Sequence, residues 1–201
     1  MNQTHLGHGS HFDDVQQSKS TPQSGKSMIR EKLEEKAEKT LRETDTYRIP
    51  IAIEVLAHRL NLAIQSEALG DNVAGMLVIE GDRGAIGYNS THALVRQRFT
   101  IAHEISHYLL HWKKSQKSQL FIDRHLTFRR DGYSSGGVDQ EEVEANQLGA
   151  ALLMPRRLVQ QEVKKHDLDR DDEEAIGFLA KRFHVSTAAM TNRLTSLHLL
   201  R

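Results

Sequence analysis

Residues 99–112 read Phe-Thr-Ile-Ala-His-Glu-Ile-Ser-His-Tyr-Leu-Leu-His-Trp and contain the pattern His-Glu-x-x-His. On a helix, the four residues from His103 to His107 span about 400° of rotation and about 6 Å of rise, so both imidazoles leave the same face. Two imidazoles so placed can grip one metal ion. Glu104 is rotated by about 100° from His103. That makes it a poor third ligand beside its neighbour but puts it within reach of a metal-bound water. Two ligands and a base are what metal-assisted peptide hydrolysis requires.

Working outward, the window from His92 to Trp112 has no Pro or Gly, and Asn89, Ser90 and Thr91 precede it as cap candidates. Relative to His103, the side chains of Ile101, Ile105, Leu109 and Trp112 fall within roughly 160–240°. The apolar stripe therefore lies opposite the histidines. This predicts a helix with one face in the core and the other on a cleft, Arg96 and Thr100 sharing the histidine side. The chain holds 12 His, so the match is weighed against chance. His111 continues the spacing, but it lies about 12 Å along the axis from His103 and cannot close on the same ion. It reads as structural, or as a group behind the ligands.

With 201 residues, the chain suits one medium domain plus attachments. Its 27 Lys and Arg balance 27 Asp and Glu, so no net field draws it to nucleic acid or membrane. There are 0 Cys, which excludes disulfides, thiolate metal sites and cysteine nucleophiles. Any zinc must be held by His and carboxylate. No run reaches membrane-spanning length and the N-terminus lacks an apolar signal region, so the expected location is cytoplasmic.

Residues 1–28 read as a disordered polar tail; His5, His8 and His11, with Asp13 and Asp14, suggest at most adventitious metal binding. Ile29, Leu33, Ala37 and Leu41 then recur every fourth residue as an amphipathic helix. Pro50 is read as opening a second helix, with Ile51, Val55, Leu56 and Leu60 inward and Asn61 at its end. Leu62 and Ile64 suggest a short strand. Ala74–Glu80 and Ala85–Tyr88 read as strands joined by the turn Gly81-Asp82-Arg83-Gly84, a hairpin that leads into the histidine helix. Lys113–Gln119 reads as a loop, Leu120–Arg130 as strand-like, and Asp131–Gly137 as a second loop. Asp139 starts a helix that ends at Met154-Pro155.

A catalytic zinc takes three protein ligands and leaves one position open. Glu141, Glu142 and Glu144 follow the second loop. Glu141 and Glu144 share a helix face and Glu142 points elsewhere. Spacing does not choose between Glu141 and Glu144, and an acidic first turn also favours a helix N-terminus without any metal.

Arg96-Gln-Arg-Phe-Thr-Ile-Ala-His-Glu-Ile-Ser-His-Tyr-Leu-Leu-His111, followed by Glu144-Ala-Asn-Gln-Leu-Gly-Ala-Ala-Leu-Leu-Met-Pro155, resembles the ImmA/IrrE family of metallopeptidases. The resemblance covers roughly residues 30–200. It implies that His103 and His107 are zinc ligands, that Glu104 is the base, and that Glu144, the Glu directly before Ala-Asn, completes the site. Leu148-Gly149-Ala150 departs from the family's frequent Phe-Ala-Ala, which bears on packing behind the ligand. The fold expected is α+β: a small antiparallel sheet packed on helices that carry the His-Glu-x-x-His zinc-peptidase core in residues 29–155, then a C-terminal helical module, helix-turn-helix-like, in 156–201.

The oxyanion would need a donor, and Tyr133, His125 and Arg129 are the candidates. Leu120–Arg130 offers a strand edge to an extended substrate. In the C-terminal segment, Glu174–Phe183 and Thr187–Leu197 read as helices around His184-Val185-Ser186, with Ser186 as a cap. From 166 to 201 the acidic Asp167, Asp169, Asp171, Asp172, Glu173 and Glu174 face Arg170, Lys181, Arg182, Arg193 and Arg201. Phosphate contacts need a net basic face, so this pair reads as a packing module and direct DNA binding is not expected.

The resemblance implies a zinc-dependent endopeptidase whose substrate is a helix-turn-helix repressor of the Xre type, cut to release stress or mobile-element genes. The second reading is a toxin–antitoxin or regulatory protein that binds DNA or protein and carries metal for structure alone. Two histidines and a carboxylate suit Zn2+ best, with manganese and iron as alternatives.

Overall fold

The computed structural model describes residues 22–70, 72–80, 83–111, 119–123, 138–166 and 173–200. Its elements run α1 (Pro22–Glu43), α2 (Ile53–Arg59), β1 (Leu62–Glu67), β2 (Gly75–Glu80), β3 (Arg83–Asn89), α3 (Leu94–Leu110), β4 (Gln119–Asp123), α4 (Val138–Leu153), α5 (Arg156–Lys165), α6 (Glu173–Phe183) and α7 (Thr187–Ser196). The expected α+β class holds.

The sheet has the order β1-β3-β2-β4. The hairpin β2–β3 is antiparallel, pairing Leu77 with Ile86, and β4 lies antiparallel on β2. β1 runs parallel to β3, with Ile64 opposite Ile86. The sheet is therefore mixed and not the antiparallel one expected. Side-chain alternation assigns the faces of a strand but not its direction. The segment after β1 carries the chain past β3 to start β2 on the far side, and that route sets the parallel pair.

Leu62, Leu77, Ile79 and Ile86 are buried from the sheet, and Ile101, Ile105 and Leu109 are buried from α3, all in one core cluster. Helix α3 packs on β2 and β3 and also, more extensively, on α4; α1 packs on α4. The same cluster takes in Val159 of α5, Leu179 and Phe183 of α6, and Met190 and Leu194 of α7. Leu33, Ala37 and Leu41 of α1 are buried, as their spacing predicts, but Ile29 of the same stripe is exposed, and the helix already begins at Pro22, inside the segment read as tail.

Pro50 does not open α2. The helix starts at Ile53 after Ala52, and Ile53, Leu56 and Ala57 are its buried residues, while Val55 is exposed. Nor do Asn89, Ser90 and Thr91 cap α3, whose N-cap is Ala93 with no side-chain cap. Asn89 is instead buried at the end of β3. Its Nδ2 donates to the carbonyls of Gly70 (2.8 Å) and Val73 (3.0 Å), and its Oδ1 accepts from Thr91. An amide can serve a loop's orphaned carbonyls as readily as a helix's first N–H groups, and here the loop is nearer. The first turn of α3 is held by side chains farther in. Gln97 Nε2 donates to the carbonyls of Ser90 and His92, and Arg98 donates to the carbonyls of Ile51 (2.7 Å) and His184 (3.2 Å).

Helices α6 and α7 are joined by three residues, and Ser186 Oγ accepts from the Ala189 amide at 3.1 Å, the cap expected. Arg193 of α7 and Glu34 of α1 are both buried and form a two-armed ion pair at 2.6 and 2.8 Å. Arg193 Nε also donates to the Met154 carbonyl at the end of α4. Three helices thus meet on one guanidinium. The tail histidines, the turn residues Gly81 and Asp82, Trp112, and most of the two loops of 113–119 and 131–137 lie outside the described residues.

Removing one partner of a buried pair strands the other charge. Arg193→Met is expected to lower unfolding stability by about 3–5 kcal/mol, and Arg193→Met with Glu34→Leu to recover most of it. Urea unfolding followed by circular dichroism checks this. Equal losses in the single and double variants would mean that the pair is not coupled.

Candidate metal centre

All residues from Thr100 to Leu109 are buried. His103 is 0% exposed, Glu104 1% and His107 4%. The histidine face of α3 is therefore not an open cleft wall. It is largely covered by α4, which packs on α3 more extensively than the sheet strands do. The reading of the apolar stripe as the core face stands, and the reading of its opposite as a cleft is corrected.

The two imidazoles converge as the spacing requires. His103 Nε2 and His107 Nε2 are 2.9 Å apart, and the rings meet edge to face with centroids 4.5 Å apart. The carboxylate that joins them belongs to Glu142. One oxygen is 3.3 Å from His103 Nε2 and the other 3.3 Å from His107 Nε2. The side chain is 45% exposed, so solvent reaches the centre from the α4 side. The imidazoles hold the Glu142 carboxyl far below the usual carboxylate range, chiefly through the His103 hydrogen bond and then that of His107, against the opposing effect of burial.

Glu144, expected to complete the set, is not among these groups. Its Oε1 accepts from Gln140 Nε2 at 2.9 Å, one turn back on α4. Glu141 does not join them either; its carboxylate is 3.9 Å from His111 Nδ1. Among the described residues, His103, His107 and Glu142 are the group able to share an ion. The missed signal lies seven residues on. Glu142 and Gly149 are about two turns apart and share a face. A Cβ at Gly149 would lie 3.4 Å from the backbone of Ala102 and His103. The smallest residue of α4 thus marks the face that meets α3, and Glu142 is on it; Glu144, about 200° away, is not. The Leu148-Gly149-Ala150 departure thus bears on the packing of α4 against α3.

The donor set fits a divalent metal. Ligand bonds of about 2.0–2.1 Å in a tetrahedron place neighbouring donor atoms about 3.3 Å apart. Here the two Nε2 atoms are 2.9 Å apart, each has a different Glu142 oxygen at 3.3 Å, and one donor atom from each of the three residues lies within 4.8 Å of the others. Two neutral imidazoles that turn ring nitrogens toward one point need a cation or a shared proton there, and a carboxylate supplies the third donor. His103 Nδ1 has no hydrogen-bond partner among the described residues, so packing orients that fully buried ring. His111 lies outside the donor group, its ring centroid 5.6 Å from that of His107, as its axial position predicts. Thr100 shares the histidine side and is fully buried. His125, Arg129 and Tyr133 lie outside the described residues.

A model of the peptidase M78 family, described as the IrrE N-terminal-like domain, matches residues 53–195. The chain belongs to this family. The match spans α2 through most of α7 and so contains every residue of the centre. No curated protein matches the chain significantly. Among solved structures, a Mycobacterium tuberculosis transcriptional regulator superposes with a TM-score of 0.54 at 16% identity, over 84% of this chain and 51% of that one. At that identity the likeness concerns the fold. This chain spans about half the length of that protein.

Zinc titration by calorimetry separates the two glutamates. Losing a group that only orients a metal ligand costs roughly 10–100-fold in metal affinity, so loss of a direct ligand in Glu142→Gln is expected to cost at least about 100-fold. Glu144→Gln is expected to bind like the wild type. The reverse order would restore Glu144 as the ligand.

Proposed function

We propose that the chain is a zinc-dependent endopeptidase that cleaves a helix-turn-helix repressor of the Xre type. The observation that carries the hydrolytic part is the convergence of the buried His103 and His107 with the half-buried Glu142, and the buried Glu104 one residue from the first ligand. Membership of the peptidase M78 family supports it. The repressor as substrate, and release of stress or mobile-element genes as the outcome, rest on the resemblance of the two motifs alone.

When bound by His103, His107 and Glu142, zinc supplies Lewis acidity toward the scissile carbonyl and makes a coordinated water more acidic. Glu104 takes a proton from the attacking water as the new C–O bond forms. It then delivers that proton to the leaving amine as the C–N bond breaks. Its burial keeps bulk water from competing for that proton. Glu142 fixes the third donor from α4 and leaves its own exposed side toward the substrate. The outer edge of β4, the edge strand beyond β2, would hold an extended chain by backbone hydrogen bonds. No helix among the described residues is long and apolar enough to cross a membrane.

The second reading, a regulator that binds DNA or protein around a structural metal, predicts binding without cutting. Incubating the zinc-loaded chain with the repressor encoded beside its gene decides between them. The expected result is one specific cut, lost on chelation and slowed by about 10²–10⁴-fold in Glu104→Gln, which should fold and bind zinc as the wild type does. Undiminished cleavage by Glu104→Gln would remove Glu104 from the role of base, and binding with no cut would favour the second reading.

A further inference from the structure

We propose that Gly75 is a positioning residue for Glu104; the proposal rests on the reading of Glu104 as the base. Gly75 opens β2 and pairs with Tyr88 and Asp123 in the sheet register. Its backbone does not lie in the left-handed region, so no conformational demand calls for glycine there. Glycine within a strand weakens it, so some other demand must favour it.

That demand is space. A Cβ at Gly75 would collide with Thr100 Cγ2 and lie 3.1 Å from Glu104 Oε1 and 3.2 Å from the Gly87 carbonyl. Thr100 and Glu104 are one turn apart on α3 and are both buried. Other strand glycines meet different neighbours: a Cβ at Gly84 would press on Leu62 Cδ2, and one at Gly87 on the flexible Met76 side chain. At Gly75 the bare backbone of β2 is a wall against the carboxylate. It bounds the space open to the Glu104 side chain, and with it the rotamer in which that carboxylate stands beside His103 and His107. Any side chain at 75 would take the space that Thr100 and Glu104 fill.

Gly75→Ala alone mixes two effects, because the collision with Thr100 can unfold the protein. Adding Thr100→Ser removes the methyl that collides and keeps the hydroxyl, and the new Cβ still presses on Glu104 Oε1. Three forms of the whole chain are compared: wild type, Thr100→Ser, and the double variant. Each is labelled with carboxyl-13C glutamate, and the Glu104 resonance is assigned by its loss in Glu104→Gln. Melting and zinc titration establish that the fold and the ligands are intact.

In the double variant the Glu104 resonance is expected to move. Because misplacing a reacting group by about 1 Å costs about 100-fold, kcat toward the repressor is expected to fall at least about tenfold with KM unchanged. A folded double variant whose Glu104 resonance and kcat match those of Thr100→Ser would overturn the proposal. If the wild type cuts nothing, the hydrolytic reading fails, while the resonance still decides whether Gly75 sets the place of the carboxylate.

Discussion

The burial of α3 from Thr100 to Leu109 is the constraint on which the other elements depend. Six of those residues, Thr100, His103, Glu104, Ser106, His107 and Tyr108, carry polar or ionisable side chains, and polar groups taken out of water must find partners. Ser106 is served by its own helix, donating to the Ala102 carbonyl at 2.7 Å. The histidines are not. Their Nε2 atoms meet each other and a carboxylate brought by another helix. The placement of α4 therefore satisfies packing and the chemistry of the centre at once. Gly149 lets the helices approach at Ala102 and His103, and Glu142, two turns earlier on the same face, reaches the imidazoles.

The rest of the fold fixes α3 and α4 relative to one another. The sheet closes the face of α3 that carries Ile101 and Ile105. Arg98 ties its first turn to the segment before α2 and to the turn between α6 and α7. Arg193 joins α7 to α1 and to the end of α4. The C-terminal helices thus brace the helix that brings Glu142, sharing its core rather than standing apart from it. This bracing reaches the centre through α4, from Met154 back to Glu142.

What the sequence made legible was local. The His-Glu-x-x-His spacing and the opposed apolar stripe placed both imidazoles on one helical face, and helix rise alone excluded His111. Leu33, Ala37 and Leu41 showed the buried side of α1, and Ser186 was legible as the cap of α7. What escaped was how one element faces another. Periodicity shows that Glu141 and Glu144 share a side, but not which side of α4 turns toward α3. The direction of β1 escaped for the same reason, since alternation does not encode it. Asn89 had the chemistry of a cap, but the loop at 70–73 had carbonyls closer to hand. In each case a tertiary neighbour chose among options that local spacing left equal.

The central claim is that one metal ion is held by His103, His107 and Glu142. Anomalous diffraction from crystals of the zinc-loaded chain, recorded on both sides of the zinc edge, tests it most directly. The account predicts one strong site bonded to the two Nε2 atoms and to Glu142 at about 2.0–2.2 Å, with Glu144 unbound. A site that takes Glu144 in place of Glu142, or zinc found away from the two histidines, would contradict it.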